Sequence, residues 1–303
     1  MDTSWECIIV GGGAAGLSAA LVLGRARRRV LVVDAGQQSN LAALGIGGLL
    51  GHDGRSPAEL YELGRKELQR YPSVEVRRGE ARAAARHEDG FVVELADGTH
   101  ERTRRVLLAT GMEYRSRSVP GLAELWGRSV FHCPFCHGWE VRDQPLAVLA
   151  QGERAMHMAR LLRGWSDDVV VLTNGTGDLP ADIRTCLHAG RVRVDERPIA
   201  HLASADGELE AVVFADGSRL PRRGLLVAGT VHQRTGLAAQ LGVAFAAAGP
   251  VSAEAVEVDP LYRTSVPGVF AAGDVCAQMP QVAAAIAAGS GAAASVVQSL
   301  IEA

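Results

Sequence analysis

Residues 7–16 of the chain read CIIVGGGAAG, and this stretch decides the fold. The apolar run at 7–10 predicts a buried strand, and the alanines and leucines after the glycines predict a helix. Gly11 permits a tight turn, Gly13 lets a pyrophosphate approach the backbone, and Gly16 lets the helix pack closely on the strand. The spacing therefore predicts the first half of a βαβ dinucleotide-binding unit.

The second strand of this unit covers residues 30–33, which read VLVV and lead into Asp34. An acidic side chain at the end of the second strand can accept hydrogen bonds from ribose hydroxyls. The N-terminus of the intervening helix supplies free N–H groups and a favourable dipole for phosphate. Because both strands, the helix and the acid stand in the required order, we predict a dinucleotide site here.

The rest of the sequence predicts a second α/β domain, which also begins with a βαβ unit and interrupts the first domain. The first part adds a helix at 57–70 with Ser56 as its N-cap, and strands at 74–78, 91–95, 99–105 and 105–111. The inserted part has strands at 146–149, 169–172, 192–194, 210–214 and 224–227, with a helix that ends near 163. A strand at 268–274 and a small-residue helix from about 280 complete the first part. We predict an α/β fold of two nested Rossmann-like three-layer domains, one at 1–116 and 244–303, the other at 117–243.

The composition excludes several classes of function. The 303 residues are 48% hydrophobic and 21% charged with a formal net charge of −3, so there is no basic field for nucleic acid. Lys66 is the only lysine, and it lies in no P-loop or Schiff-base motif. We find no apolar run of about 18 residues and no basic-plus-apolar leader, which predicts no membrane contact and a cytoplasmic location.

Residues 131–139 read FHCPFCHGW and place two cysteines two residues apart. Such a pair can close a small disulfide ring, and one thiol is often acidified to the thiolate that attacks disulfides, flavins and metals. His137 directly follows the second cysteine and could move a proton at neutral pH. We interpret Cys133, Cys136 and His137 as candidate catalytic residues, and His132 as either a catalytic or a packing residue.

Four features in combination resemble the low-molecular-weight thioredoxin reductases. They are the glycine motif at 11–16, the turn at 109–111, the cysteine pair inside the second domain, and Gly273-Asp274 followed by Gln281. In that family the outer segments bind FAD, the inserted domain binds NADPH, and the protein is a homodimer. The resemblance makes Cys136 the cysteine that touches the flavin and Cys133 the outer cysteine that exchanges with substrate. The residues that it assigns to FAD are Gly11, Gly13, Ala14, Ala15, Gly16, Asp34, Asn40, Thr110, Gly111, Gly273, Asp274, Gln281 and Val282.

Two departures from the thioredoxin reductase pattern favour another branch of the family. The inserted motif begins with Ala150 where the family has glycine, and residues 173–178 (TNGTGD) lack the basic cluster that holds the NADPH 2′-phosphate. His137 stands where thioredoxin reductases usually carry an aspartate. In this respect the chain is similar to the dithiol oxidases that form the disulfides of gliotoxin- and holomycin-type metabolites. An imidazole is also a stronger base than a carboxylate toward an incoming thiol.

Three hypotheses follow for the function. The preferred one is an FAD-dependent dithiol oxidase that forms a disulfide in a small dithiol and reduces O2 to H2O2. The alternative is a thioredoxin reductase that takes electrons from NADPH, or from another donor such as ferredoxin, and passes them to thioredoxin. The third is a zinc-binding module built on the cysteines and their flanking histidines. Tetrahedral zinc needs four ligands and adjacent residues rarely both reach one ion, so we expect no metal.

Overall fold

The computed structural model describes residues 4–116, 118–175, 179–277 and 279–302. The chain divides into two compact units. The first unit comprises Met1–Leu41, Ser56–Arg115 and Thr230–Ala303, and the second comprises Ala42–Arg55 and Ser116–Gly229. One α/β unit is therefore inserted in the other. The observed division differs from the expected boundaries in two places, because the first unit resumes at Thr230 rather than 244 and segment 42–55 belongs to the second unit.

The elements follow the order that the sequence pattern predicts, with several additions. The first unit opens with β1 (Trp5–Val10), α1 (Ala14–Arg25), β2 (Val30–Asp34), α2 (Pro57–Leu68), β3 (Val74–Arg78), β4 (Ala81–His87), β5 (Gly90–Leu95), β6 (His100–Leu108) and β7 (Met112–Arg115). The second unit contains α3 (Leu122–Leu125), β8 (Val130–Phe131), α4 (Pro134–His137), β9 (Leu146–Leu149), α5 (Gly152–Leu162), β10 (Val169–Leu172), α6 (Ala181–Ala189), β11 (Arg193–Asp195), β12 (Ile199–Ala205), β13 (Glu208–Phe214), β14 (Arg219–Pro221) and β15 (Gly224–Val227). The first unit resumes with β16 (Thr230–Gln233), α7 (Leu237–Gln240), β17 (Val269–Ala271), a 3-10 turn (Asp274–Cys276) and α8 (Val282–Ile301).

The main sheet of the first unit has the order β3-β2-β1-β6-β5-β4, and β17 also pairs with β6. β1 is apolar along its buried length because both faces of the sheet are covered. Cys7 and Ile9 pack with α1 and α8 on one face, whereas Ile8 and Val10 pack with α7 on the other. The run that opens the sequence therefore forms the centre of the unit.

β6 is one strand where the sequence pattern predicts two. Its first half pairs antiparallel with β5, with Thr103 opposite Phe91, and its second half pairs parallel with β17, with Leu107 opposite Phe270. The strand continues through Arg105 without a break, because its partner on this side changes there from β5 to β17. β4 was not predicted, since its sequence ARAAARH lacks the alternation of β-branched residues and is ordered by pairing with β5.

The early return to the first unit has a direct cause. β16 pairs antiparallel with β7, and Val231 lies opposite Tyr114. β7 is the last strand before the insertion and β16 is the first after it. Their pairing brings the two ends of the inserted unit together and assigns residues from Thr230 onward to the first unit.

The second unit contains a five-stranded parallel sheet of order β11-β10-β9-β15-β8 and an antiparallel sheet of order β12-β13-β14. The strands at 146–149, 169–172 and 224–227 occur where the sequence predicts them, and α5 connects β9 to β10. β12 was missed because its sequence, IAHLASA, mixes polar and small residues and is ordered by pairing with β13. The prediction of two nested Rossmann-like α/β units is confirmed.

α8 corrects one expectation from the composition. This helix of 20 residues has a mean hydropathy of 1.5 over its most apolar window, so it is long and apolar enough to cross a membrane. The expectation that no such run exists is wrong, because alanine and glycine chosen for close packing also count as apolar. The signal is weak evidence of a membrane span, since core helices pass the same test. A Cβ at Gly289 would overlap the carbonyl oxygen of Ala15, so α8 packs tightly on α1.

Candidate active site

The glycine turn after β1 has the geometry that its sequence requires. Gly11 has a φ of +116°, and a Cβ there would overlap the carbonyl oxygen of Ala109. A Cβ at Gly16 would in turn overlap the carbonyl oxygen of Gly11. The turn, the helix and the end of β6 therefore approach each other too closely for side chains. Thr110 and Gly111 follow directly and lie beside this turn, with Gly111 at a φ of +65°.

The start of α1 is open to a ligand. Gly13 is the N-cap of α1 and provides no side-chain cap, and α1 has no acidic residue in its first turn. A Cβ at Gly13 would meet only the Gln38 side chain, at 3.5 Å. The backbone N–H groups that begin with Ala14 and Ala15 thus have the uncapped arrangement that binds phosphate.

Asp34 ends β2 and is 6% exposed. Its Oδ1 accepts hydrogen bonds from the Gly36 N–H at 2.8 Å and from Gln38 Nε2 at 2.9 Å, and its Oδ2 lies 3.6 Å from Arg65 Nη1. A Cβ at Gly12 would overlap the Asp34 side chain, so the carboxylate lies directly against the glycine turn. Sequence reasoning missed Gln38 and Arg65, because neither belongs to a recognisable motif.

A second carboxyl belongs to Asp274, which follows Gly273 beside the start of α1. Gly273 has a φ of +85°, and a Cβ there would lie 2.8 Å from the Ala15 Cβ. Burial raises the pKa of the adjacent Asp274 to about 6. No described residue forms a hydrogen bond with the Asp274 carboxyl. Gln281 caps α8 in an extended conformation without a side-chain bond, so the N–H groups from Val282 onward are also uncapped.

The first unit therefore brings the predicted FAD residues together, and they fit a dinucleotide. Uncapped helix starts suit phosphates and carbonyl oxygens, whereas an oriented carboxylate and a buried, unpaired carboxyl suit ribose or ribityl hydroxyls. Asn40 joins this group through Tyr61, whose hydroxyl lies 2.8 Å from Asn40 Oδ1. Tyr61 was also missed by sequence reasoning, although a tyrosine on the apolar face of a helix signals a buried hydroxyl that needs a partner.

The cysteine pair of the second unit forms the start of α4. Cys133 is the N-cap with an extended φ of −128°, and Pro134 occupies the first helical position. The two cysteines form no disulfide bond and are half-buried, with the two sulfurs 2.6 Å apart. The hydrogen bond from Cys136 and the backbone N–H groups of Phe135 and Cys136 lower the pKa of Cys133 to about 7, against the opposing effect of burial. Cys133 is therefore substantially thiolate near neutral pH.

His137 ends the same one-turn helix. Its Nε2 lies 3.2 Å from the Gly127 carbonyl oxygen, and its ring stacks on Phe131. Burial lowers the pKa of His137, although the Glu140 carboxylate and the carbonyls of Gly127 and Cys133 partly offset this effect. The neutral ring therefore carries its proton on Nε2. Nδ1 is buried and forms no hydrogen bond within the described part of the chain.

His132 lies on the other side of the cysteines in a different environment. Its ring stacks on Trp126, with centroids 5.7 Å apart. Burial and the neighbouring His137 lower the pKa of His132 to about 4. The imidazole is consequently neutral across the physiological range, which agrees with the packing interpretation of this residue.

Within the second unit, the cysteine pair is packed closely against segment 42–55 and is flanked by exposed aromatic rings. A Cβ at Gly47 would lie 2.8 Å from the Cys136 carbonyl oxygen, so segment 42–55 packs directly on α4. Phe135 and Trp139 are 62% and 66% exposed. The Phe135 ring meets Trp165 edge to face at 5.5 Å, which holds an exposed apolar surface beside the thiols.

Two side chains of the inserted nucleotide-like motif, at residues 150–155, donate hydrogen bonds to backbone carbonyls of the same unit. Gln151 Nε2 donates to the Thr173 carbonyl oxygen at 3.4 Å, and the Arg154 guanidinium donates to the Gly229 carbonyl oxygen. The end of β10 runs beside residues 195–196, since the Gly175 N–H donates to the Glu196 carbonyl oxygen. Residues 176–178 of the predicted cation-poor segment lie outside the described residues.

The arginines that border this strand end are paired with acids. Arg184 contacts Glu196 at 2.8 Å, and Arg197 contacts Asp195 at 2.6 Å while lying over the Phe214 ring. The Asp195 carboxylate is the first cause that raises the pKa of Arg197. Among the residues described, no group of three or more His, Cys, Asp or Glu side chains is arranged to hold a metal ion.

Known proteins resemble this chain over its whole length. Residues 5–289 match the family model of pyridine nucleotide-disulphide oxidoreductases. The chain is 35% identical over 294 residues to the thioredoxin reductase tcpT of Claviceps purpurea, which covers 94% of this chain and 90% of that protein. The crystal structure of HlmI superposes with a TM-score of 0.93 at 38% identity, over 100% of this chain and 94% of that one. An oxidoreductase from Agrobacterium tumefaciens gives a TM-score of 0.92 at 35% identity over 99% of each chain.

Proposed function

Because the chain belongs to the pyridine nucleotide-disulphide oxidoreductases and is a thioredoxin reductase-like flavoprotein that binds FAD, we propose that it oxidises a small dithiol to its disulfide. Cys133 and Cys136 accept the two electrons from the substrate. Bound FAD would accept these electrons from the cysteine pair and pass them to O2, which is reduced to H2O2.

The observation that carries the oxidase assignment is that residues 173–178, which follow β10 in the sequence, carry no arginine, lysine or histidine. A 2′-phosphate without a charge-assisted contact from this segment would be held weakly, and the nearby Arg184 and Arg197 are each paired with a carboxylate. Gln151 and Arg154 also fill part of the inserted motif. A flavoprotein that binds NADPH poorly must receive its electrons from another donor, and the reactive thiols supply one.

The chemistry of the pair follows from the Cys133 thiolate. A substrate thiolate attacks Cys133 Sγ of the oxidised pair, the S–S bond breaks, and Cys136 leaves as a thiolate. The second substrate thiol then attacks the substrate sulfur of the mixed disulfide, which closes the product disulfide and releases Cys133. A leaving thiol of pKa about 7 departs faster than an ordinary thiol, so the environment of Cys133 promotes the second step.

We assign the proton transfer to His137. The ring directly follows Cys136 in the chain and is held by the Gly127 carbonyl oxygen and by stacking on Phe131. Burial keeps the ring neutral at the pH where thiols must be deprotonated. His137 therefore accepts the proton of the incoming substrate thiol, a contribution of about 10²–10⁴ in rate for a well-placed base.

We assign FAD to the open cradle of the first unit. The N–H groups of Gly13, Ala14 and Ala15 would hold the pyrophosphate, and Asp34 would hold a ribose. Asp274 would satisfy its buried carboxyl on the ribityl hydroxyls. Gly11, Gly16, Gly273, Thr110 and Gly111 would give the flavin nucleotide close access to the backbone, and Asn40, Gln281 and Val282 would complete the site.

The exposed rings beside the pair suggest the substrate class. Phe135, between the two cysteines in sequence, presents an exposed apolar ring, and the edge-to-face contact with Trp165 holds it in place. Trp139 is also exposed, with the Arg142 guanidinium over its ring. A small dithiol with an apolar body would pack on these rings while its sulfurs reach Cys133.

The test is oxygen uptake by the purified flavoprotein with a panel of small dithiols in air, compared with Cys133→Ser. We expect oxygen consumption and equivalent H2O2 with the wild type only. An anaerobic titration of the flavin with NADPH, NADH and a dithiol side by side should show bleaching by the dithiol. Absence of oxygen uptake across the panel would reject the oxidase assignment.

A second candidate is a thioredoxin reductase, which the name of the tcpT relative favours. In that case NADPH, or another donor such as reduced ferredoxin, would bleach the flavin rapidly. Transfer of those electrons to thioredoxin would then be observed. The anaerobic titration separates the two functions, because only one of them begins with the dithiol.

A further inference from the structure

Tyr61 links the two acidic parts of the cradle in the first unit. It lies on α2, is 4% exposed, and places its hydroxyl 2.8 Å from Asn40 Oδ1. The Asp274 and Asp34 carboxylates are near enough to act on this phenol electrostatically. Tyr61 is therefore buried between the two ends of the proposed FAD site, although no sequence motif contains it.

The Tyr61 hydroxyl is the donor of this hydrogen bond and Asn40 Oδ1 is the acceptor. Burial raises the pKa of Tyr61 to about 12, so the hydroxyl keeps the proton that it donates. An asparagine amide is oriented by its partners, so this bond turns Oδ1 toward Tyr61 and Nδ2 away from it.

The loop that carries Asn40 is held by the two residues that precede it. Gln38 Nε2 donates to Asp34 Oδ1 at 2.9 Å and to the Gly12 carbonyl oxygen at 3.2 Å. Ser39 Oγ donates to the Met112 carbonyl oxygen at 2.6 Å. Asn40 itself is half-buried, and its Nδ2 forms no hydrogen bond with the rest of the described chain. An amide that is fixed in this way and has an unused pair of donors can bind an acceptor oxygen of a ligand.

We propose that Tyr61 is a positioning residue for FAD, which holds the Asn40 amide so that Nδ2 donates to an acceptor oxygen of the bound cofactor. The proposal rests on FAD as the cofactor and is independent of the oxidase assignment. The phenol contributes through Asn40, and Phe at position 61 would retain the packing of α2 while leaving the amide free to rotate.

The test is the rate at which FAD leaves the holoenzyme after dilution, followed by the rise of flavin fluorescence. Tyr61→Phe and Asn40→Ala should each increase this rate about threefold to tenfold, the effect of one neutral hydrogen bond. The double variant should release FAD no faster than Asn40→Ala alone, because both changes remove the same interaction. Additive effects, or an unchanged rate in Tyr61→Phe, would overturn the proposal.

Two further variants separate positioning from a general loss of stability. Asn40→Asp keeps the acceptor for Tyr61 but replaces the Nδ2 donor by a negative oxygen, so it should release FAD faster than Asn40→Ala. If Asn40→Asp retains FAD as well as the wild type, the donor role is refuted. Tyr71→Phe is the matched control, because its hydroxyl accepts a hydrogen bond at 3.2 Å from the exposed Arg25 and has no other side-chain partner among the described residues. It should leave the release rate unchanged.

Discussion

The Nε2 atom of His137 lies 3.2 Å from the carbonyl oxygen of Gly127. A carbonyl can only accept, so this contact places the proton of the neutral imidazole on Nε2. The Gly127 backbone reaches this position with a φ of +80°, which a side chain would strain. The base that we propose for the thiol chemistry is thus oriented by a glycine ten residues away from it in the sequence.

We expect His137→Gln to lower the rate of dithiol oxidation at neutral pH by about 10²–10⁴-fold, because glutamine cannot accept the thiol proton. The measurement is anaerobic mixing of the oxidised holoenzyme with a small dithiol, followed by the loss of flavin absorbance. His132→Gln is the comparison, and it should retain most of the rate because that imidazole is a packing residue. Equal losses in the two variants would contradict the role of His137.

The Cys133 thiol should be alkylated by iodoacetamide with a midpoint near pH 7 in the reduced protein. Cys136→Ala should move this midpoint upward, since the Cys136 hydrogen bond is the largest cause of the low pKa. A Cys186→Ser background removes the exposed competing thiol, and Cys7 and Cys276 are protected because burial raises the pKa of each to about 12. An unchanged midpoint in Cys136→Ala would show that the backbone N–H groups dominate.

We expect Gly47→Ala to slow reduction of the pair several-fold. The new Cβ would lie 2.8 Å from the Cys136 carbonyl oxygen, closer than real Cβ contacts, so segment 42–55 or α4 must shift. Gly79→Ala is the matched control, because a Cβ there meets nothing within 4 Å. Stopped-flow reduction by a dithiol gives the comparison, and wild-type rates in Gly47→Ala would mean that α4 tolerates displacement.

The raised pKa of Asp274 predicts a pH-dependent stability of the FAD-free protein. The folded carboxyl has a pKa of about 6 against an ordinary 3.8, so the folded state holds the proton more tightly than the unfolded state. The free energy of unfolding should therefore fall as pH rises from about 4 to above 6, by about 3 kcal/mol in total. Asp274→Asn should lack this component. Urea unfolding of both proteins across this range tests it, and parallel curves would contradict it.

Much of the fold could be predicted from local patterns. The strand at Val30–Asp34, the helix that Ser56 caps, and the three parallel strands of the insertion coincide with their sequence signals. The failures, β4, β12 and the division of β6 into two, share one cause. These segments form strands because they pair with a neighbouring strand. Neither the strand propensity nor the hydrophobic alternation of a seven-residue segment contains information about that partner.

The candidate site divides in the same way. The glycines at 11, 13 and 16, the acids at 34 and 274, and the cysteine pair carry their chemistry in type and spacing, so the sequence alone determined the family, the cofactor and the redox pair. Only the tertiary structure decided the tautomer of His137, the acidity of Cys133, the pairing of Arg197 and the place of Tyr61. The reason is physical: a motif specifies which groups are present, whereas pKa, orientation and availability depend on burial and on partners distant in the chain.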